Sequence, residues 1–308
     1  MKKKKNSPKK TQKNKKEITS GVCMFAYNND QINYVKLAVL CALSVKKHMK
    51  NNTTCLITDP GTDAYMKESM PLHAKAFDHI VVTPIEKIPN TRVNHDSPYY
   101  TFNSQFTNHN KDQIFQYSPY DKTLLIDIDF MIANNLLDQI FDSNVELAMY
   151  SDAKNLRNDD PHPNEIRLHR GGINMWWSTV IYFEKTPYAK LLFDIWGHVK
   201  DNWDFYKFRY NFPGHMFRTD YAVSIAIHIM NGMFENNMIS TLPGTFMRFQ
   251  DQKDDILHVH NSNDIIYLAN DQKENWKDLP VRMLDENVHV MNKRSIERHY
   301  DKWMECVT

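Results

Sequence analysis

Residues 22–85 alternate apolar runs with amphipathic ones, and this alternation limits the fold more than any other feature of the chain. VCMFAYN (22–28) reads as a buried strand, and DQINYVKLAVLCALSVKKHM (30–49) carries apolar residues at helical spacing. TTCLITD (53–59) is a second strand, ended by Asp59, Pro60 and Gly61. DAYMKESMPLHAKAF (63–77) supplies one or two helices, and HIVVTPI (79–85) a third strand broken by Pro84. Strands joined through helices pair in parallel, so the fold class is α/β with a nucleotide-binding type of first half. AYNNDQ (26–31) follows the first strand where a glycine-rich loop would stand, which excludes a dinucleotide fingerprint and a P-loop.

With 308 residues and 42% hydrophobic content, the chain can build one substantial core. No internal repeat or linker divides 21–308, so a single domain is expected there, behind a tail at 1–20. Residues 1–16 hold nine lysines and no acid, which leaves 29 basic and 37 acidic residues in the remainder, a net of −8. So polar a tail is expected to be disordered. It serves as a solubilising leader, a tether to a polyanion such as DNA, or a nuclear address. It lacks the apolar core of a secretory signal, and no 18-residue apolar run is present, so no membrane span and a cytoplasmic location are expected. Cys23, Cys41, Cys55 and Cys306 have no paired metal spacing and suit buried thiols in a reducing compartment.

Residues 90–121 are polar and aromatic and read as irregular with a short helix. KTLLIDIDFMI (122–132) then places Asp127 and Asp129 behind a continuous apolar run. Two residues apart on a strand, the acids share a face, and they repel unless a cation or a proton sits between them. A central strand opening at a crevice is where an open α/β sheet places ligands. A hard divalent cation, Mn²⁺ or Mg²⁺, is the simplest partner and can also hold a diphosphate. Structural acids paired with lysines are the alternative. Further along, a helix at NLLDQIF (135–141), strands at VELAMYSD (145–152) and WSTVIYFE (177–184), a helix at TPYAKLLFDIWGHVKDNW (186–203), a buried helix in RTDYAVSIAIHIMNG (218–232) and a strand at DILHVHN (255–261) are expected.

The chain is similar over most of 21–265 to GT-A fold glycosyltransferases, especially the glycogenin and bacterial galactosyltransferase-like group. KTLLIDIDFMI resembles that group's D-x-D strand, and RTDYAVSIAIH its acid-bearing helix, with Asp220 as the matching acid. ILHVHN resembles its late histidine strand. WWSTVIYFEK stands where the family has N-S-G-V, with Trp177, Ser178 and Thr179 in place of the first three. The tryptophan-rich strand and the F-R-x-D-Y helix also resemble glycosyltransferase-like proteins of tailed phages.

The resemblance implies a nucleoside-diphosphate sugar donor, UDP-linked, and transfer of a hexose to an acceptor hydroxyl on DNA or a polysaccharide. Asp127 and Asp129 would hold the metal with His258 or His260, two histidines flanking a valine on one strand face. Tyr27, Asp59, Asp127 and Ser178 would contact the donor, and Asp220 and Arg218 would serve the reacting sugar. Asp59 as a turn cap, Tyr27 and the tryptophans as core residues, and Asp220 as a helix N-cap are the structural alternatives. His169 and Arg170 are expected on an acceptor loop. A metal-dependent nucleotidyltransferase and a non-catalytic nucleic-acid-binding protein remain as rival functions.

Overall fold

The structure, a computed structural model, describes residues 18–84, 91–105, 110–161, 166–168, 172–212, 217–234, 238–271 and 277–308. Most of the lysine-rich tail, with His169 and Arg170, lies outside them. In chain order the first half runs β1 (Ser20–Phe25), α1 (Tyr34–His48), β2 (Thr54–Thr58), α2 (Pro60–Ser69), α3 (His73–Ala76), β3 (His79–Val82), β4 (Thr91–His95), β5 (Thr101–Gln105), α4 (Ile114–Tyr117), β6 (Lys122–Ile126), β7 (Phe130–Met131), β8 (Leu147–Tyr150) and β9 (Ala153–Asn155). The second half runs β10 (Arg167–Leu168), β11 (Ile173–Asn174), β12 (Trp177–Glu184), α5 (Pro187–Asp201), α6 (Trp203–Arg209), α7 (Thr219–Met230), β13 (Ser240–Thr241), β14 (Met247–Gln250), β15 (Asp255–Asn261), β16 (Asp264–Asn270), β17 (Asp278–Leu284), β18 (Val288–Val290) and α8 (Lys293–Val307).

A seven-stranded sheet ordered β13-β8-β12-β6-β1-β2-β3 forms the centre. β1 pairs in parallel with β2 and β6, and β2 with β3, as the alternation at 22–85 requires. β12 runs antiparallel to β6 and β8, so the sheet is mixed. β1, β2 and β6 carry near-continuous buried residues, as strands of a parallel sheet covered on both faces do. Gly21 stands where β1 crosses Tyr120. A Cβ there would lie 2.5 Å from the ring and 2.7 Å from the carbonyl oxygen of Thr53, so only glycine fits.

Several parts of the fold depart from the sequence reading. Residues 91–105 form the β4–β5 hairpin and are not irregular. NLLDQIF contains a 3₁₀ turn at Leu136–Ile140 in place of an α-helix. After β15 the chain adds β16, β17, β18 and α8, where no element was expected. Helix α8 packs on α1 and buries Ile296, Trp303 and Val307, so the C-terminal segment belongs to the same continuous core as β1.

Asp254, 4% exposed, anchors the turn before β15. Its carboxylate accepts the N–H groups of Asn270 (2.7 Å) and Asp251 (2.9 Å). Burial, with the negative charges of Asp251 and Asp278, pushes its carboxyl up to about 7. A folded-state value above the unfolded one means that stability present at low pH is lost as pH rises through it. Urea unfolding is expected to show a decline of a few kcal/mol attributable to this group between about pH 4 and 7, which Asp254→Asn flattens. An unchanged slope in that variant would refute the assignment.

Candidate functional site

Strand β6 ends at Ile126, one residue before the acids. Asp127 and Asp129 therefore lie in a turn at the strand's C-terminal end, and not on the strand itself with one shared face, where the sequence reading put them. The Asp127 N–H donates to the Thr179 carbonyl on β12 (2.8 Å), and the Phe130 N–H donates back to the Asp127 carbonyl (2.9 Å). Two-residue β7 follows and pairs antiparallel with β18, setting His289 opposite Phe130. The Val290 N–H donates to the Asp129 carbonyl at 2.8 Å. These short pairings carry an imidazole from the far end of the chain to the acids. Asn292 caps α8, accepting from the Ser295 N–H at 3.1 Å, and starts that helix with Lys293 beside Asp129.

Ligand atoms of Asp127, Asp129 and His289 lie within 4.8 Å of one another. His289 Nε2 is 3.2 Å from Asp129 Oδ1, and Lys293 Nζ is 2.6 Å from Asp129 Oδ2. Lys111 Nζ is 2.5 Å from Asp127 Oδ1. Burial alone would raise the Asp129 carboxyl, but Lys293 and His289 together hold it well below the usual carboxylate range. Asp127 moves the other way, because burial and the neighbouring Asp129 charge outweigh Lys111. Two carboxylate oxygens and one imidazole so spaced could hold one metal ion. The lysine pairing weighed as an alternative is thus present, yet it does not seal the acids. Both line a cleft of about 500 Å³.

The same cleft gathers Tyr27, Ser178, Arg218 and Asp220, together with Arg92 from the β4–β5 hairpin and Lys111 and Lys293. Asp220 lies in the first turn of α7, whose N-cap position is Arg218, so it is not the N-cap. Its carboxylate accepts from Ser178 and Arg218. Burial opposes ionisation, but Arg218, Lys111 and the Ser178 hydrogen bonds hold the group down at about 2. Tyr27, 5% exposed, has its phenol pushed up by burial and forms part of the cleft wall. Trp177 lies against Phe249, ring centroids 6.2 Å apart, and both line the cleft. Trp176 is buried in the core.

Two expected site groups fall elsewhere. Asp59 caps α2, accepting from the Gly61 and Thr62 N–H groups at 2.9 and 3.1 Å. It lines a separate polar pocket of about 590 Å³ with Asn28, Asn33 and Glu297. His258 and His260 project from β15 into solvent, their rings 4.3 Å apart. They do share a strand face, as their spacing required, but a bulge between Ile256 and His258 lets Ile256 and Val259 both point inward and leaves the histidines pointing out. The imidazole at the acids is His289, within Val288-His289-Val290, where the buried valines turn the histidine towards the cleft. That V-H-V pattern is the signal sequence reasoning passed over. His289→Ala is expected to raise the half-saturating Mn²⁺ concentration at least about tenfold, while His258→Ala and His260→Ala leave it unchanged. Calorimetric titration of each variant with Mn²⁺ checks this.

No family model and no curated protein matches the chain. Among solved structures it is similar to the galactosyltransferase LgtC in complex with donor and acceptor sugar analogs, at 12% identity and a TM-score of 0.42, covering 74% of this chain and 72% of that one. It is also similar to the glycosyltransferase GlyE of Streptococcus pneumoniae TIGR4, at 10% identity and a TM-score of 0.41, over 73% of this chain and 45% of that one. A third is mouse xyloside xylosyltransferase 1, at 13% identity and a TM-score of 0.40, over 70% and 84% of the two chains. The chain thus spans less than half the length of GlyE. No helix among the described residues is long and apolar enough to cross a membrane.

Proposed function

We propose that the chain is a metal-dependent glycosyltransferase that moves a hexose from a UDP-linked donor to an acceptor hydroxyl. The observation that carries this reading is the joining of Asp127, Asp129 and His289 with Lys111 and Lys293 in one cleft. The three ligands would hold Mn²⁺ or Mg²⁺, and a bound ion supplies Lewis-acid stabilisation to a leaving diphosphate. Lys293 and Lys111 now neutralise the carboxylates and are placed to neutralise phosphate oxygens as well. Asp220 stays ionised at any working pH, which suits it to face positive charge developing at the anomeric carbon and unsuits it to donate a proton. Tyr27 and Trp177 give the cleft aromatic surface for the base or a sugar ring.

The test is incubation of the full chain with UDP-hexoses and Mn²⁺, with products read by mass. Release of intact UDP supports glycosyl transfer. Release of hexose 1-phosphate, with the uridylyl group passing to the acceptor or to water, would mean that the α-phosphate is attacked, and would replace this reading with nucleotidyl transfer. DNA and polysaccharide are the two acceptor classes to offer. The lysine tail favours the first, and deletion of residues 2–16 should then slow transfer to DNA without slowing donor hydrolysis.

A further inference from the structure

The Asp220 carboxylate takes its two shortest hydrogen bonds from one residue. Its Oδ1 accepts from the Ser178 N–H at 2.9 Å and from the Ser178 hydroxyl at 2.7 Å. Its Oδ2 receives a longer contact from Arg218 at 3.3 Å. Arg218 also donates to the Tyr221 hydroxyl at 3.1 Å and lies 4.6 Å over that ring, so its fork is shared. Ser178 is itself held firmly. It is 1% exposed, on β12, with its hydroxyl 3.0 Å from that of Thr219. Its carbonyl accepts from Lys111 Nζ at 3.0 Å, the same nitrogen that sits 2.5 Å from Asp127. A continuous path of polar contacts therefore runs Asp127, Lys111, Ser178, Asp220 across the start of β12.

We propose that Ser178 is a positioning residue: its amide and hydroxyl aim Asp220 at the reacting sugar, and its carbonyl, through Lys111, registers that carboxylate against Asp127. The proposal rests on the glycosyl-transfer reading of Asp220 and gives Ser178 a part different from the donor contact its strand suggested. Without the hydroxyl, Oδ1 keeps only the amide bond, and Arg218 can draw the carboxylate towards Tyr221. A carboxylate aimed loosely loses transition-state stabilisation more than donor affinity.

The test is a double-mutant cycle on Mn²⁺-dependent UDP-hexose hydrolysis by the full chain. Ser178→Ala is expected to lower kcat about tenfold or more, the effect of losing a hydrogen bond to a charged group. Donor KM and half-saturating Mn²⁺ should stay within about twofold, as for a group acting mainly in the transition state. Ser178→Thr, which keeps a hydroxyl, should recover most of the rate, and Ser178→Ala should add nothing to Asp220→Asn. Full activity of Ser178→Ala, or an equal loss in both backgrounds, overturns the proposal. If Asp220→Asn turns donor over at the unmodified rate, the part given to Asp220 falls instead. A crystal structure of Ser178→Ala judges the positioning without turnover: a displaced Asp220 carboxylate supports it, and one left in place on the residue-178 amide and Arg218 overturns it.

Discussion

Asp129→Asn is expected to reduce metal-dependent turnover at least about a thousandfold while leaving the chain folded. Asp129 is the hub of the site: one carboxylate oxygen faces His289 and the other Lys293, and it is 3% exposed. An amide presents a weak, neutral oxygen to a divalent ion and cannot balance Lys293. The amide is preferred to alanine because it keeps the side-chain volume and an acceptor for Lys293, whereas alanine would also leave a cavity and unpaired donors and confuse misfolding with lost chemistry. Stability should respond to pH in step. Held below its ordinary value, the Asp129 carboxyl contributes stability above about pH 4, and that contribution is lost as pH falls. In Asp129→Asn this acid-side loss should shrink. Initial rates with and without EDTA, beside urea unfolding at several pH values, measure both effects.

Asp220→Asn is expected to lower kcat by about 100- to 1,000-fold with little change in donor KM, the size of effect seen when one preorganised electrostatic group is removed. The loss should be uniform from about pH 5 to 9, because a group held down at about 2 does not titrate there. A deficit that shrinks as pH rises would instead mark a proton-donating acid. The variant also leaves Arg218 and Lys111 without a charge they now face, so its melting temperature should fall. Comparing kcat with KM separates this from a simple loss of folded protein.

The first half of the fold was legible because local pattern decides it. The apolar runs of β1, β2 and β6 and the helical spacing of α1 each point to one state, and parallel pairing follows from the crossovers. The β4–β5 hairpin was not, since its strands are largely exposed or half-buried and hold polar residues such as Asn94, Asn103 and Ser104, which leave little apolar alternation to read. The site divides the same way. Asp127 and Asp129 stand behind an apolar strand and announce themselves, and Asp220 and Arg218 open a strongly apolar helix. His289 stands 160 residues after Asp129 and meets it only through the short β7–β18 pairing, which no local period encodes. The β15 histidines show why spacing was insufficient: period two fixes that they share a face, and only tertiary packing fixes which face meets water.

The central claim is that one divalent ion is held by Asp127, Asp129 and His289. Crystals of the full chain grown with Mn²⁺ and UDP, measured at the manganese absorption edge, test it most directly. The account predicts an anomalous peak within bonding distance of all three side chains, with Lys293 moved from Asp129 towards the diphosphate. Bound UDP with no such peak, and Lys293 still on Asp129, would contradict it.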